Sequence, residues 1–212
     1  MKTDAWIDLL ARGAGAAPRA AALRRLAPAG VAGLLMSALL AVVLLGPLPS
    51  AVFATSAPWI KLGYTGALAV AAGWLAARAS VPAGQTEHPR LAVLAVLLAM
   101  ASLGAAVLVF GTAPGERIDA LMGRTWLQCP WNVLGLSLPS LALTFWAMRG
   151  LAPTRPRLAG LAAGLLAGAL GALGYSLSCP EASPAFVAVW YTLGVVLTGA
   201  VGMALGGRLL RW

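Results

Sequence analysis

Six long apolar runs, separated by short segments that hold nearly all of the charge, set the pattern of this chain. They fall at roughly 29–47, 57–77, 91–110, 131–148, 158–177 and 185–206. Each is long enough to cross a hydrocarbon layer roughly 30 Å thick at about 1.5 Å per helical residue. Gly, Ala and Leu dominate and no period-two alternation appears, so the runs read as helices rather than barrel strands. The pattern predicts an all-α polytopic membrane protein with six transmembrane helices. Residues 1–27 read as a cytoplasmic amino-terminal segment too small to bury its own core. Residues 28–212 read as one six-helix bundle with no internal domain boundary.

Composition agrees with this picture. Of 212 residues, 60% are hydrophobic and only 10% charged, and the mean hydropathy is +0.87, which excludes a soluble domain with a polar surface. The first apolar run is longer than a signal-peptide core, so the first helix is expected to remain in the mature protein.

The net charge of +9 changes the picture only through its distribution. Lys2, Arg12, Arg19, Arg24, Arg25, Arg78, Arg90, Arg149, Arg155, Arg157, Arg208 and Arg211 fall in the termini and alternate loops, all on one side. The other side holds Arg117 and Arg124, with Lys61 just inside the second span. The positive-inside rule then places both termini in the cytoplasm. Topology accounts for the basic residues, and no direct nucleic-acid partner is expected; the bilayer is the expected surrounding.

In the amino-terminal segment, Thr3 can cap a helix start, and Trp6, Leu9 and Leu10 share one face at i, i+3 and i+4. A second short helix near Pro18 would carry Leu23 and Leu26 beside Arg24 and Arg25. Such a segment either lies on the inner leaflet or docks against a cytoplasmic partner. Residues 111–130 form the longest external loop, with room for a short interfacial helix. Trp59, Tyr64, Trp126, Trp131, Trp190 and Tyr191 near the outer boundary read as an aromatic belt. In the fifth span Gly160, Gly164 and Gly168, followed by Ala172, make a small-residue stripe where a neighbouring backbone can approach closely.

Candidate chemistry is sparse. Apart from Lys61 at an outer end, no span carries an ionisable residue in its interior, which argues against an ion-coupled transporter. The lone histidine, His88, reads as a solvated loop residue. No Ser-His-Asp set or nucleotide-binding motif is supported, and the chain does not read as an enzyme. The two cysteines remain, in Cys129-Pro130 before the fourth span and Cys179-Pro180 after the fifth. Both lie at outer helix ends, where they could form a static disulfide, stay unlinked, or act as a redox or metal sensor. Thiolates favour soft ions, and Glu181 could add an oxygen ligand; no constitutive cofactor is expected, only a transient soft metal ion. Each proline should bias its cysteine away from helical geometry and hold the thiol at the aqueous edge.

Several segments together resemble a known family. They are Trp126-Leu127-Gln128-Cys129-Pro130-Trp131, Leu151-Ala152-Pro153-Thr154-Arg155-Pro156, Cys179-Pro180-Glu181-Ala182-Ser183-Pro184, Trp190-Tyr191-Thr192-Leu193-Gly194 and Arg208-Leu209-Leu210-Arg211-Trp212. The chain resembles the bacterial six-helix anti-sigma factors called negative regulator of sigma F, or NrsF-like. The resemblance implies a multi-pass inner-membrane protein that holds an extracytoplasmic-function sigma factor at its cytoplasmic face. It also implies release under metal or oxidative stress, with Cys129 and Cys179 matching the family's paired periplasmic cysteines. The candidate sigma-contacting residues, Trp6, Leu9, Leu10, Arg24 and Arg25, follow from location alone. From another class, a membrane thiol-disulfide oxidoreductase is the alternative, and a small-molecule transporter is a third reading.

Overall fold

The computed structural model of the chain describes residues 3, 6–8, 21–82 and 84–210. Among them, six helices are long and apolar enough to cross a membrane: α1 (Ala21–Leu45), α2 (Ala57–Ala79), α3 (Glu87–Phe110), α4 (Cys129–Arg149), α5 (Pro156–Tyr175) and α6 (Pro184–Leu209). No strand occurs among the described residues. The all-α class and the six apolar helices match the sequence pattern.

Helix α1 begins earlier than its apolar run. It takes in Arg24 and Arg25 and continues through Pro28, so these arginines ride on the first long helix and not on a separate short one. Pro28 lies inside this helix, where it lacks the N–H that would bond to the Arg24 carbonyl and its ring crowds that carbonyl, a place where helices bend.

Helix α5 is the hub. Of its apolar window 78% is buried, against 17% for α3, and it packs on α6, α4, α2 and α1. Small residues make this crowding feasible. A Cβ at Gly160 would run into the Gly202 carbonyl, and one at Gly164 into the Thr198 carbonyl. One at Gly168 would come within 2.9 Å of the Val195 Cα. The expected glycine stripe is therefore the seam between α5 and α6. Gly171 and Gly174 turn to other neighbours, since their Cβ atoms would meet Ser137 of α4 and the Ser37–Ala38 backbone of α1 at 2.8 Å. Close backbone approach of this kind stabilises helix pairs in apolar surroundings through dispersion and short polar contacts.

A buried polar seam crosses the same region. Ser37 Oγ donates to the Leu136 carbonyl at 2.7 Å and lies 3.0 Å from Ser140 Oγ. Ser137 Oγ and Thr198 Oγ1 are 3.1 Å apart. Each hydroxyl has a partner, so its burial carries little of the cost that an orphaned polar group would impose.

The connections place the helix ends. Residues 114–122 contain a 3₁₀ turn, Pro114–Glu116, and a short helix, Arg117–Met122, which is the helix expected in the long loop. Inside α6 the segment Val187–Tyr191 winds as a π turn. Such a turn inserts one extra residue and redirects side chains, often at functional sites.

Candidate sensor site at one end of the bundle

Cys129 is the first residue of α4, and its N–H donates to the Thr125 carbonyl at 2.9 Å. The proline after it sits in the first helical turn, where a missing N–H costs nothing. Cys129 is thus helical, contrary to the expectation from Pro130. Cys179 follows α5 after a closing turn in which its N–H donates to the Tyr175 carbonyl at 3.0 Å. Pro180 cannot extend that turn, so the chain leaves it there.

Both thiols are free and fully buried, at 0% exposure. This corrects the expectation of thiols at the aqueous edge. The reason is tertiary, because residues 117–128 fold back over this end. Trp190 Nε1 donates to the Leu121 carbonyl at 2.9 Å, and the Trp126 and Trp190 rings lie 5.2 Å apart.

Glu181 fastens the same segment. Its Oε1 accepts from the Arg124 and Thr125 N–H groups at 2.8 and 3.0 Å and from Thr125 Oγ1 at 3.0 Å. Gly123 adopts φ +58°, and a Cβ there would strike Glu181 and Phe186, so the strap needs glycine for both conformation and space. The residue singled out as an oxygen ligand therefore ties the chain before Cys129 to the chain after Cys179. Among the described residues, no group of three or more His, Cys, Asp or Glu side chains is arranged to hold a metal ion.

A cation completes the cluster. Lys61 is only 2% exposed, and its Nζ donates to the Cys179 carbonyl at 2.7 Å. Lys61, Cys179 and Glu181 all lie close enough to Cys129 to act on its charge. From the sequence Lys61 is an outer-end residue, and its signal is that it is the one charged side chain within any apolar run.

Tyr64 and Tyr191, expected in the aromatic belt, are instead buried inside the bundle. Tyr64 is buried with its hydroxyl 2.6 Å from Thr192 Oγ1, and Tyr191 is 0% exposed. The Tyr191 ring lies 5.6 Å from that of Tyr175. The Tyr191 hydroxyl and Ser178 Oγ are buried without a hydrogen-bond partner among the described residues. An ammonium, two thiols and the Tyr191 hydroxyl thus gather where apolar packing would be the ordinary choice. Such a cluster suits negative charge developing on sulfur, because an ammonium and an unpartnered hydroxyl lie in the same buried region.

The remaining candidates lie elsewhere. Arg24 and Arg25 are exposed at the opposite end of the bundle, and Trp6 is a helical residue that is half exposed. Leu9 and Leu10 lie outside the described residues.

With this geometry in hand, the chain can be set against known proteins. The family model described as negative regulator of sigma F matches residues 10–212. The chain belongs to the NrsF family. Among curated NrsF relatives, the probable anti-sigma-F factor NrsF of Azospira oryzae is 41% identical over 223 residues, covering 100% of both chains. The anti-sigma-F factor NrsF of Caulobacter vibrioides is 40% identical over 215 residues, again covering 100% of both. These family names describe regulatory proteins. No solved structure matches the chain.

Proposed function

We propose that this protein is a multi-pass inner-membrane anti-sigma factor that sequesters an extracytoplasmic-function sigma factor at its cytoplasmic face. It releases that factor when Cys129 and Cys179 react with an oxidant or a soft metal ion. The carrying observation is the burial of both cysteines in one cluster with Lys61, at the end of the bundle opposite its basic end.

The reading supplies a physical route between the two ends. Cys129 starts α4 and Cys179 closes α5, and the loop between these helices lies at the basic end with Arg155. A bond or shared ion between the thiols would shift one helix end against the other. Close packing along α5 leaves little slack, so the shift would be passed on rather than absorbed. A hundredfold loss of sigma affinity needs about 2.8 kcal/mol of differential free energy, within reach of one covalent or thiolate–metal event. Trp6, Leu9, Leu10, Arg24 and Arg25, with the neighbouring inner loops, make up the proposed sigma-contacting segment.

Co-purification with the sigma factor, before and after oxidant or cadmium, tests this reading in the parent and in Cys129→Ser and Cys179→Ser. The expected result is association in all three and release only in the parent. Absence of a sigma factor in every state would refute the anti-sigma role. Normal release from both variants would refute sensing by the pair.

A further inference from the structure

At the basic end of the bundle, α1 and α4 enclose a cavity of about 620 Å³ lined by Arg24, Arg25, Pro28, Trp146, Arg149 and Gly150. We propose that this cavity is a binding site for the headgroup phosphate of an anionic phospholipid. The assignment rests on the membrane reading above, and on neither the sigma-factor nor the cysteine reading.

The charge of the cavity suits an anion. Among the described residues, three arginines and no acidic residue line the cavity, so these walls give it a positive field. Arginine forks match the paired oxygens of a phosphate better than a point cation would.

Its shape is set by a glycine. Gly150, the residue that caps α4, has no side chain, and the guanidinium of Arg25 occupies the space where a Cβ would stand. Arg25 is thereby laid across the carboxyl end of α4, next to Arg149 in its last turn. Two cationic groups are gathered where the helix carbonyl end offers them weak support, and an anion between them would relieve their mutual repulsion.

The apolar part of the lining favours a lipid over a soluble acidic partner. The walls include Pro28, Ala147 and the flank of Trp146 as well as the arginines. Trp146 is 72% exposed, and further along α1 the side chains Val31, Leu35 and Leu39 are exposed apolar residues. The arginines therefore cap a surface suited to acyl chains, with a tryptophan at the boundary where headgroups lie. A second cavity at this end differs in kind. About 520 Å³ in volume, it is lined by Arg78, Arg90 and Arg155 together with Glu87, His88 and Gln85, a set suited to water or a polar partner.

The site narrows the sigma-contacting segment. Arg25 turns toward α4 and is assigned to lipid.

The test uses the full chain in detergent, titrated with phosphatidylglycerol, phosphatidylcholine or inorganic phosphate, and read by native mass spectrometry and thermal unfolding. Phosphatidylglycerol should give a retained adduct and a raised melting temperature, and the other two should not. The double variant Arg25→Gln/Arg149→Gln should weaken phosphatidylglycerol binding by about thirtyfold, taking ~1 kcal/mol per arginine. Gly150→Leu keeps every charge but evicts the Arg25 guanidinium, and should weaken binding by about fivefold to tenfold. Arg90→Gln/Arg208→Gln, with the same charge loss outside the cavity, should stay within about twofold.

Equal binding of phosphatidylcholine would overturn the proposal, as would phosphate binding as tightly as the lipid. So would full retention of lipid by both cavity variants. Gly150→Leu decides the matter if the double variant does not fold. Recovery of the chain in the membrane fraction checks the membrane reading separately.

Discussion

The Lys61 ammonium donates a 2.7 Å hydrogen bond to the carbonyl oxygen of Cys179. That bond joins the second turn of α2 to the chain leaving α5, and it leaves a buried cation beside two buried thiols. A cation taken out of water costs several kcal/mol, and one charged hydrogen bond returns about 1.5–3 kcal/mol. Lys61 is therefore a poor choice for stability alone. Its position makes sense if the site has to tolerate negative sulfur.

Lys61→Met separates these roles. The substitution keeps the chain length and removes the charge, so stability should change by less than about 2 kcal/mol in either direction. Release of sigma by oxidant or cadmium should weaken strongly. Thermal unfolding and co-purification check the two halves; a collapsed fold would mean that Lys61 is structural.

Burial of the thiols sets their accessibility. In the resting protein, a bulky maleimide should label Cys129 and Cys179 at least about tenfold more slowly than in denaturant, because labelling must wait for local opening. Mass spectrometry of timed samples reads this directly. Labelling at the denatured rate would mean that the cover over this end stands open.

Glu181→Gln tests the strap. Losing the carboxylate charge weakens three hydrogen bonds to residues 124–125, about 1.5–3 kcal/mol for charge-assisted bonds of this kind. Labelling of both cysteines in metal-free protein should rise several-fold. If Glu181 served only as a metal ligand, metal affinity would fall while metal-free labelling stayed unchanged.

The seam between α5 and α6 has its own test. Gly164→Leu would press against Thr198 and Gly199, and should cost about 1–3 kcal/mol or more because neither backbone can yield. Gly63→Ala, with nothing within 4 Å of its new Cβ, should be neutral or stabilising by up to about 1 kcal/mol. Thermal unfolding in detergent compares the two.

Much of this architecture was present in the order of the residues. Helix number, the all-α class and the separation of the basic end follow from hydropathy and charge, which act locally and need no knowledge of neighbours. The stripe of Gly160, Gly164 and Gly168 was visible as a period of four, although only packing showed that α6 fills it. The cysteines stood out because they were two of a kind at matching helix ends.

What tertiary structure decided was the environment of those residues. Pro130 and Pro180 suggested exposed thiols, yet residues 117–128 fold back through Trp190 and Glu181, contacts more than fifty residues apart in the chain. Glu181 could be named as an oxygen donor from composition, but its three backbone and side-chain partners depend on where that loop comes to rest. Lys61 was legible as an isolated charge, and its meaning came only when α2 brought it to Cys179. Sequence determines which segments seek an apolar surrounding, since that preference belongs to each side chain. Which groups then share one buried space depends on how the segments meet.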